Sequence, residues 1–561
     1  MTVTPFDPDL YVGTIMYVSP DVVRANLPYA TAPAEERSSI KGAVGDFVFI
    51  ECEPYALFGR IIEVKIPESE RFSVETEIGK SSPANPLGAI QLLASLDLVE
   101  DKVMRGLVAH PKIGDRVYIA HPTIVANMAG SEAENSRKME FGELPFDNVA
   151  KVLFSPERVF GRHCGVLGTT GGGKSWTLAT IMEEIKAFGG KAILFDATGE
   201  FFGLSFVDRS ISLGDEHRGD DGEASFSYRN LTESDFFTLF NPSGGVQGPK
   251  LREAIRSLKL VDALNNRPVP GVQIEDGLLI KEGNLKAPVI DAFRQHSAQL
   301  NSPQCTLDVN RLAAQMDREC VWPNGFNNDA TRWGGVSQND LGYCVTLVTR
   351  IEALVNSPEL NCLFNPQGLD LVEVADQFLA DDQQNILRIS MEFLSFQHNA
   401  RELIANSIGR FFLSRARARL FANSPLVVIL DEAHQFLDKS IGDDFNRVRL
   451  DSFGLIAKEG RKYGLTTILA TQRPRDIPED VLSQLGTLIV HRLINDKDRL
   501  VVERACGELD RSATAFLPTL DQGEALIVGA DFSMPVPVKM RRPNDAPSSH
   551  GPDYQANWQR A

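Results

Sequence analysis

The run from Gly168 to Ser175 carries the clearest chemical signal in the chain, because its letters, GTTGGGKS, match the pattern G-x-x-x-x-G-K-[ST]. Glycines at these positions let backbone N–H groups turn towards the β- and γ-phosphates of a nucleotide, and the following helix adds its dipole. The Lys174 ammonium would neutralise the phosphates, and the Ser175 hydroxyl would bind Mg²⁺. We therefore predict a nucleotide-binding set of Gly168, Thr169, Thr170, Gly171, Gly172, Gly173, Lys174, Ser175 and Trp176.

The flanking residues predict the elements that hold this loop. Val166 and Leu167 end an apolar stretch directly before it. Apolar residues recur after it at positions 178, 181, 182 and 185, the spacing of one helix face. The sequence therefore predicts a strand, a loop and a helix in the order that the motif requires.

Two further strand ends carry polar residues that suit ATP hydrolysis. Five apolar residues, 426–430, precede Asp431 and Glu432, and open α/β sheets place their chemistry at such carboxyl ends. We predict that Asp431 holds Mg²⁺ through water and that Glu432 polarises the water that attacks the γ-phosphate; the alternative is a surface Asp-Glu pair that caps a helix. Gln472, after the strand 466–470, is a candidate γ-phosphate sensor or a plain polar loop residue.

Length and composition favour a multidomain, globular protein. The chain has 561 residues, 43% hydrophobic and 24% charged, with a formal net charge of −18. Such a charge excludes a surface coated in nucleic acid but allows a local, basic DNA-binding channel. The sequence has no apolar run of membrane-helix length and no signal peptide at its start, so we expect no membrane contact and a cytoplasmic location.

Changes in pattern along the chain divide it into modules. Short strands with similar Gly45-Asp46 and Gly114-Asp115 turns predict a small N-terminal β-barrel. Apolar strands then alternate with amphipathic helices, which predicts an α/β core with a parallel sheet. The predicted modules are a barrel (1–130), a linker (131–148), a first core part (149–212), a largely helical insertion (213–380), a second core part (381–540) and a flexible tail (541–561).

The motifs together resemble the HerA branch of the HerA/FtsK ATPases. The resemblance rests on the loop at 168–175 and on the segments Asp-Ala-Thr-Gly-Glu (196–200), Val-Ile-Leu-Asp-Glu-Ala-His (428–434), Glu-Gly-Arg-Lys-Tyr-Gly (459–464) and Ala-Thr-Gln-Arg-Pro (470–474). It implies a RecA-like P-loop ATPase core with ATP and Mg²⁺ as ligands. The N-terminal strands look like the barrel of that family, the HAS-barrel.

The resemblance also implies a homohexameric ring that threads double-stranded DNA. In such rings an arginine from the neighbouring subunit reaches the γ-phosphate and stabilises the charge of the transition state. Arg461 is the first candidate for this catalytic role, Arg162 is the second and Arg492 is the third. A surface arginine is the alternative for each of them.

Two features of the resemblance concern residues outside the loop. The family pattern Asp-x-His-Gly-Glu has Thr198 at its His position here, which leaves Asp196 and Glu200 as candidates to order the waters around Mg²⁺. For a grip on DNA the sequence offers Arg410, Arg415, Arg417 and Arg419; the alternative is a solvated or packed charged face.

The resemblance implies a separately encoded partner, a nuclease or an NAD-consuming effector, in DNA end processing or in antiviral defence. The alternatives are a secretion or conjugation ATPase and a ring scaffold that activates an effector with ATP as a regulatory ligand. The N-terminal strands and the lack of membrane helices favour a DNA motor over the first alternative, and Glu432 speaks against a purely structural ring.

The two predicted catalytic groups have separable effects. We expect Lys174→Ala to abolish ATP turnover, because it removes the charge that neutralises the phosphates. We expect Glu432→Gln to keep ATP binding and lose hydrolysis, because it removes only water activation. Phosphate release and equilibrium ATP binding measure the two steps, and near-normal turnover in Glu432→Gln would contradict the assignment.

Overall fold

The computed structural model describes residues 4–30, 42–66, 85–130, 137–214, 221–265, 267–302, 306–394, 399–437, 440–441, 448–506, 511–548 and 558. The chain divides into unit 1, Met1–Glu184 with Ala470–Ala546, and unit 2, Ile185–Leu469 with Pro547–Ala561. The strands are β1 (Tyr11–Val18), β2 (Val22–Asn26), β3 (Phe47–Cys52), β4 (Tyr55–Lys65), β5 (Leu87–Asp97), β6 (Lys102–Arg105), β7 (Arg116–Ile119), β8 (Met139–Leu144), β9 (Asp147–Phe154), β10 (His163–Leu167), β11 (Lys191–Asp196), β12 (Arg209–Leu213), β13 (Glu223–Ser225), β14 (Gln273–Glu275), β15 (Leu278–Ile280), β16 (Leu369–Asp370), β17 (Ile386–Ser390), β18 (Leu426–Leu430), β19 (Ser440–Ile441), β20 (Val448–Arg449), β21 (Leu465–Thr471), β22 (Leu485–His491), β23 (Glu524–Gly529) and β24 (Val536–Met540). The α-helices are α1 (Pro122–Ala129), α2 (Pro156–Phe160), α3 (Lys174–Ala187), α4 (Glu233–Phe240), α5 (Gln247–Leu264), α6 (Lys286–Gln295), α7 (Ser297–Leu300), α8 (Leu312–Glu319), α9 (Gln338–Val355), α10 (Asn361–Phe364), α11 (Leu371–Ala380), α12 (Ala400–Arg417), α13 (Ser452–Glu459), α14 (Glu479–Leu482), α15 (Asp496–Ala505) and α16 (Arg511–Phe516).

The first seven strands form a small barrel in unit 1. They pair in the order β2-β1-β7-β3-β4-β5-β6, and β2 also pairs with β5, so six strands close on themselves. Buried side chains such as Val12, Val23, Ile50, Leu57 and Ile90 fill its interior. Closure removes the unpaired edges that these strands would otherwise expose, and it confirms the predicted small barrel.

The two Gly-Asp turns of the barrel share one geometry. Gly45 and Gly114 have φ of 104° and 100°, a left-handed backbone that favours glycine. The carboxylate of the following aspartate accepts a backbone N–H three residues upstream, from Ala43 to Asp46 (2.8 Å) and from Lys112 to Asp115 (2.6 Å). The repeated letters therefore encode the same turn twice.

The second sheet of unit 1 contains β10 and its neighbours. β10 pairs in parallel with β22, and antiparallel strands follow in the order β22-β23-β24-β8-β9. The segment 131–148, expected to be a linker, thus contains β8 and the start of β9. Met139 and Phe141 are buried there, so the segment contributes to a core; residues 131–136 lie outside the described part of the chain.

Unit 2 contains the parallel sheet that the apolar strand runs predicted. Its strand order is β16-β13-β12-β17-β11-β18-β21, and each neighbouring pair is parallel. All residues of β11, β17 and β18 are buried, as expected for strands covered by helices on both faces. Polar residues that follow these strands therefore gather at one edge of the sheet.

The segment between β13 and β17 is largely helical, as predicted, and contains helices α4 to α11. Phe236, Phe240 and Phe364 stack in its core, where Phe240 and Phe364 have ring centroids 6.1 Å apart. A second buried cluster includes Leu260, Leu279 and Val289. The short strands β14, β15 and β16 also lie in the predicted helical region.

The start of the predicted flexible tail is packed. The Arg541 guanidinium lies 3.1 Å from both Glu183 and Glu184, and the Asn544 N–H donates to Glu183 at 2.7 Å. The expectation of flexibility is therefore wrong for these residues. Beyond residue 548 the description covers only Trp558. Across the described ranges, no helix combines the length and apolarity that a membrane crossing requires.

Candidate active site

The P-loop, residues 168–175, joins β10 to α3 in unit 1. Gly171 and Gly173 have φ of 74° and 116°, which glycine adopts without the penalty that a side chain imposes. The Thr169 N–H donates to the Arg492 carbonyl at 3.0 Å, and the Gly172 N–H donates to the Thr169 carbonyl at 3.1 Å. These bonds fix the curvature of the loop. The space beside Gly171 is open, because a Cβ there would meet nothing within 4 Å.

The predicted phosphate-binding side chains lie where the motif requires them. Lys174 is the first residue of α3 and is 8% exposed, and its ammonium donates to the Thr169 carbonyl at 3.2 Å. Ser175 is half-buried in the first turn. Trp176 is also half-buried, and the Arg542 guanidinium lies 4.9 Å from its ring centroid. A cation and a hydroxyl at a helix N-terminus suit a polyphosphate.

Gln472 contacts the P-loop directly. It follows β21, and its side-chain oxygen accepts a hydrogen bond from the Thr170 hydroxyl. The Gly168 N–H donates to the carbonyl of the preceding Thr471 at 3.3 Å. The structure thus brings the predicted sensor beside the residues that would bind the γ-phosphate, all within unit 1.

Unit 2 carries the predicted carboxylates. Asp431 follows the buried strand β18, is 4% exposed, and donates its N–H to the Phe195 carbonyl of β11 at 3.1 Å. Glu432 adopts a left-handed backbone with φ 49°, a strain of about 1 kcal/mol of the kind found at functional sites. Its carboxylate lies 3.2 Å from Nδ1 of His434. The turn after β18 therefore places the Glu432 carboxylate beside the His434 imidazole.

Arg401, which the sequence analysis missed, fixes three loops at this edge of the sheet. Its buried guanidinium donates to the Ala197 carbonyl after β11 (3.3 Å), to the Leu394 carbonyl after β17 (3.2 Å) and to Gln435 after β18 (3.2 Å). Burial lowers its pKa, yet arginine stays charged at neutral pH. A cation shared by several carbonyls stiffens the frame around Asp431 and Glu432.

Asp196 has a structural role, and the expectation that it orders magnesium waters is wrong. Its carboxylate is fully buried and accepts from the N–H groups of Thr198 (3.3 Å), Gly199 (2.8 Å) and Phe201 (3.1 Å) and from Arg388 (2.8 Å). A carboxylate offers about four acceptor positions, and these four donors occupy them. Glu200 is half-buried, and its role in ordering the waters around Mg²⁺ stays a prediction.

A magnesium ion fits the hard oxygen ligands that the motifs supply. Across the described ranges no cluster of three or more His, Cys, Asp or Glu side chains could hold a metal alone. Mg²⁺ commonly uses one or two protein oxygens and completes its shell with nucleotide phosphates and water. The Ser175 hydroxyl in unit 1 and the Asp431 carboxylate in unit 2 each have that chemistry.

Comparison with known proteins identifies the domains around these motifs. Residues 139–285 match the helicase HerA central domain, and residues 422–548 match the helicase HerA-like C-terminal domain. The DNA double-strand break repair helicase HerA of Sulfolobus acidocaldarius is 24% identical over 435 residues, 75% of this chain and 73% of that protein. The protein of the same name from Pyrococcus furiosus is also 24% identical over 435 residues, covering 76% and 73%. The chain therefore carries the HerA central and C-terminal domains.

These two domains and the helicase relatives identify the chain as a P-loop ATPase of the helicase class. Among solved structures, the bacterial conjugative coupling protein TrwBdeltaN70 has a TM-score of 0.45 at 14% identity, covering 77% of this chain and 94% of that one. A likeness at this level has no bearing on the function of the chain.

The three arginines that the HerA resemblance singled out have different surroundings. Arg162 pairs with Asp531 at 3.0 Å at the surface of unit 1. Arg492 lies beside the P-loop of its own subunit, because its carbonyl accepts from Thr169. Arg461 is exposed in the short helix Gly460–Tyr463 after α13. Arg461 is therefore accessible to solvent, whereas Arg492 lies next to the P-loop of the same chain.

The arginines near the end of α12 are engaged within the chain, which favours a packed charged face over a grip on DNA for three of them. Arg410 forms a two-pronged pair with Asp235, Arg415 pairs with Asp376, and Arg417 lies 3.0 Å from Glu459. The guanidinium of Arg419 lies 5.4 Å from the ring centroid of Tyr463. The acidic partners of Arg410, Arg415 and Arg417 lie 39 to 175 residues away, so the sequence of α12 alone does not indicate them.

The Arg410–Asp235 and Arg415–Asp376 ion pairs should contribute differently to the free energy of unfolding. The Asp235 side chain is fully buried and also accepts from the N–H and hydroxyl of Thr232, whereas the Asp376 side chain is 47% exposed. We expect Asp235→Asn to lower the free energy of unfolding by about 2–4 kcal/mol, because it leaves the Arg410 charge poorly paired. Asp376→Asn, the matched control, should cost about 0–1 kcal/mol. Urea unfolding measures both, and equal losses would contradict this account.

Proposed function

We propose that the chain is an ATP-driven translocase and helicase of double-stranded DNA that works as a homohexameric ring. The observation that carries the proposal is the P-loop with Lys174 and Gln472 in a chain that also has the carboxylate pair Asp431-Glu432 and both HerA domains. The names of the most similar relatives, DNA repair helicases, support DNA as the cargo. A net charge of −18 confines the DNA contact to a local basic surface.

Each residue has one task in the proposed hydrolysis. The P-loop N–H groups and the Lys174 ammonium bind the β- and γ-phosphates of ATP. Glu432 accepts a proton from the attacking water, and Gln472 responds to the loss of the γ-phosphate through its bond to Thr170. Bound Mg²⁺ would neutralise the negative charge that develops on the phosphate oxygens. The His434 imidazole lies beside the Glu432 carboxylate, 3.2 Å from Nδ1 to the nearer oxygen.

A ring supplies the remaining catalytic group. Stabilisation of the charge on the transferred phosphate calls for a cation on its open side, and Arg461 of the neighbouring subunit is the proposed source. The exposed helix Gly460–Tyr463 presents this side chain to solvent. We also propose that a separately encoded nuclease or NAD-consuming effector binds the ring, since the recognised motifs of this chain serve ATP hydrolysis alone.

Stimulation by DNA distinguishes a motor from a scaffold. A translocase couples turnover to movement, so we expect double-stranded DNA to raise the ATPase rate well above its basal value. A ring that uses ATP only as a regulatory ligand should hydrolyse it at the same rate with and without DNA. That second result would favour the scaffold alternative.

Arg461→Ala tests the ring and the chemistry together. The variant should bind ATP normally, because the P-loop is intact, and should lose hydrolysis by about 10³-fold or more, the typical effect of an arginine finger. The neighbouring Lys462 is also exposed and cationic, so Lys462→Ala is the matched control with near-normal turnover. Steady-state phosphate release measures both variants. A loss below about tenfold in Arg461→Ala would make Arg162 the leading candidate.

Mixed rings reveal whether the arginine acts across subunits. Arg461→Ala subunits mixed with Glu432→Gln subunits should recover part of the activity, because some interfaces then combine an intact Glu432 with an intact Arg461. Sedimentation should first confirm a hexamer and co-assembly of the two variants. Absence of recovery in confirmed mixed rings, or a fully active monomer, would overturn the ring.

A further inference from the structure

His491 lies beneath the P-loop at the end of β22 and is fully buried. A Cβ added at Gly168 would lie 2.6 Å from the Cβ of His491, and one at Gly173 would lie 3.3 Å from its Cε1. The imidazole therefore fills the space that the glycines of the loop leave open. This contact explains why Gly168, whose φ is not left-handed, still has no room for a side chain.

The two ring nitrogens bond to two different elements. Nδ1 lies 2.9 Å from the Glu524 carbonyl at the start of β23, and Nε2 lies 2.9 Å from the Thr177 hydroxyl in the first turns of α3. A carbonyl only accepts hydrogen bonds, so Nδ1 must carry the proton. Burial, with a smaller effect of the nearby Lys174 charge, lowers the pKa of His491 to about 4. The ring is therefore neutral near pH 7, and Nε2 accepts from Thr177.

A second contact joins the start of β23 to the P-loop. The Gly523 N–H, directly before β23, donates to the Gly172 carbonyl at 3.2 Å. The loop thus has the His491 ring under its glycines and the turn before β23 bonded to its backbone. Both contacts connect the phosphate-binding backbone to the antiparallel pair β22-β23.

We propose that His491 is a positioning residue for the nucleotide, which holds the P-loop and the start of α3 in the geometry that binds phosphate. This inference rests on the proposed nucleotide chemistry of the loop and adds a residue that no motif contains. Backbone N–H groups attract a phosphate only when they converge on it, and a loop rich in glycine loses much entropy when it is ordered. A ring packed under the glycines and bonded to Thr177 lowers that cost before the ligand arrives.

Substitutions of His491 by glutamine and by asparagine test the two hydrogen bonds of the ring separately. Glutamine places a polar atom near Nε2 and can accept from Thr177, whereas asparagine places one near Nδ1 and can donate to the Glu524 carbonyl. Phenylalanine keeps the approximate shape and loses both bonds. On the Thr177 side, Thr177→Val removes the donor, and Thr177→Ser is the matched control that keeps it.

The test measures equilibrium binding of ADP and of a non-hydrolysable ATP analogue to the full-length protein. We expect His491→Phe and Thr177→Val each to weaken binding about tenfold, the size expected for one buried hydrogen bond. His491→Gln and Thr177→Ser should stay within about threefold of the parent. Combining Thr177→Val with His491→Phe should add little to the loss from His491→Phe alone, because that change already removes the bond to Thr177.

Two results would overturn the proposal. One is binding by His491→Phe within about twofold of the parent protein, and the other is losses from His491→Phe and Thr177→Val that add in full. If the His491 variants do not fold, the comparison of Thr177→Val with Thr177→Ser decides the matter with His491 intact, and equal binding by these two variants would contradict it. Failure of the DNA motor would appear separately, as a parent protein that binds nucleotide and does not respond to DNA.

Discussion

The convergence of backbone N–H groups in the P-loop is the constraint on which the rest of unit 1 depends. Those groups are weak individually and bind a phosphate only when the loop holds them at one point. The loop reaches this shape through contacts with distant elements: the Thr471 carbonyl at its start, the Arg492 carbonyl beside Thr169, and His491 beneath its glycines. The strands β21 and β22 therefore serve as the support of the site as well as parts of a sheet.

The carboxylates of unit 2 also depend on a backbone that is held in one conformation. Glu432 has a left-handed backbone, which persists only where the surroundings enforce it. Arg401 supplies part of that enforcement, because one buried cation bonds to loops after three parallel strands. Asp196 and Arg388 add a second buried pair at the same edge, where Asp196 holds the backbone of the loop from 198 to 201. Rigid loops of this kind keep catalytic groups oriented without help from the ligand.

The sequence predicted features that are local and missed those that depend on long-range contacts. The P-loop, the buried strand before Asp431 and the closely spaced barrel strands are readable because their signals lie within about 20 residues. The partner of Arg410 is 175 residues away and that of Thr177 is 314 residues away, so no spacing rule could indicate them. The same limit made Asp196 look like a metal-site residue, since its partner Arg388 lies on another strand.

Parts of the linker and of the tail, residues 139–148 and 541–544, were predicted wrongly for a related reason. The polar letters after residue 130 suggested an irregular segment, yet Met139 and Phe141 are buried on either side of the half-buried Glu140, and the antiparallel partners of β8 complete a core around them. Arg541 looked like the start of a solvated tail until the structure placed it against Glu183 and Glu184 on α3. Polarity predicts exposure only where no partner of opposite charge is present.

The central claim is that ATP hydrolysis in this chain moves double-stranded DNA. Displacement of a third DNA strand from a duplex measures such movement directly, because a motor that travels along the duplex must remove the strand bound in its groove. We expect displacement with ATP and none with a non-hydrolysable analogue. Hydrolysis of ATP at an undiminished rate on the same DNA, with the third strand left in place, would contradict it.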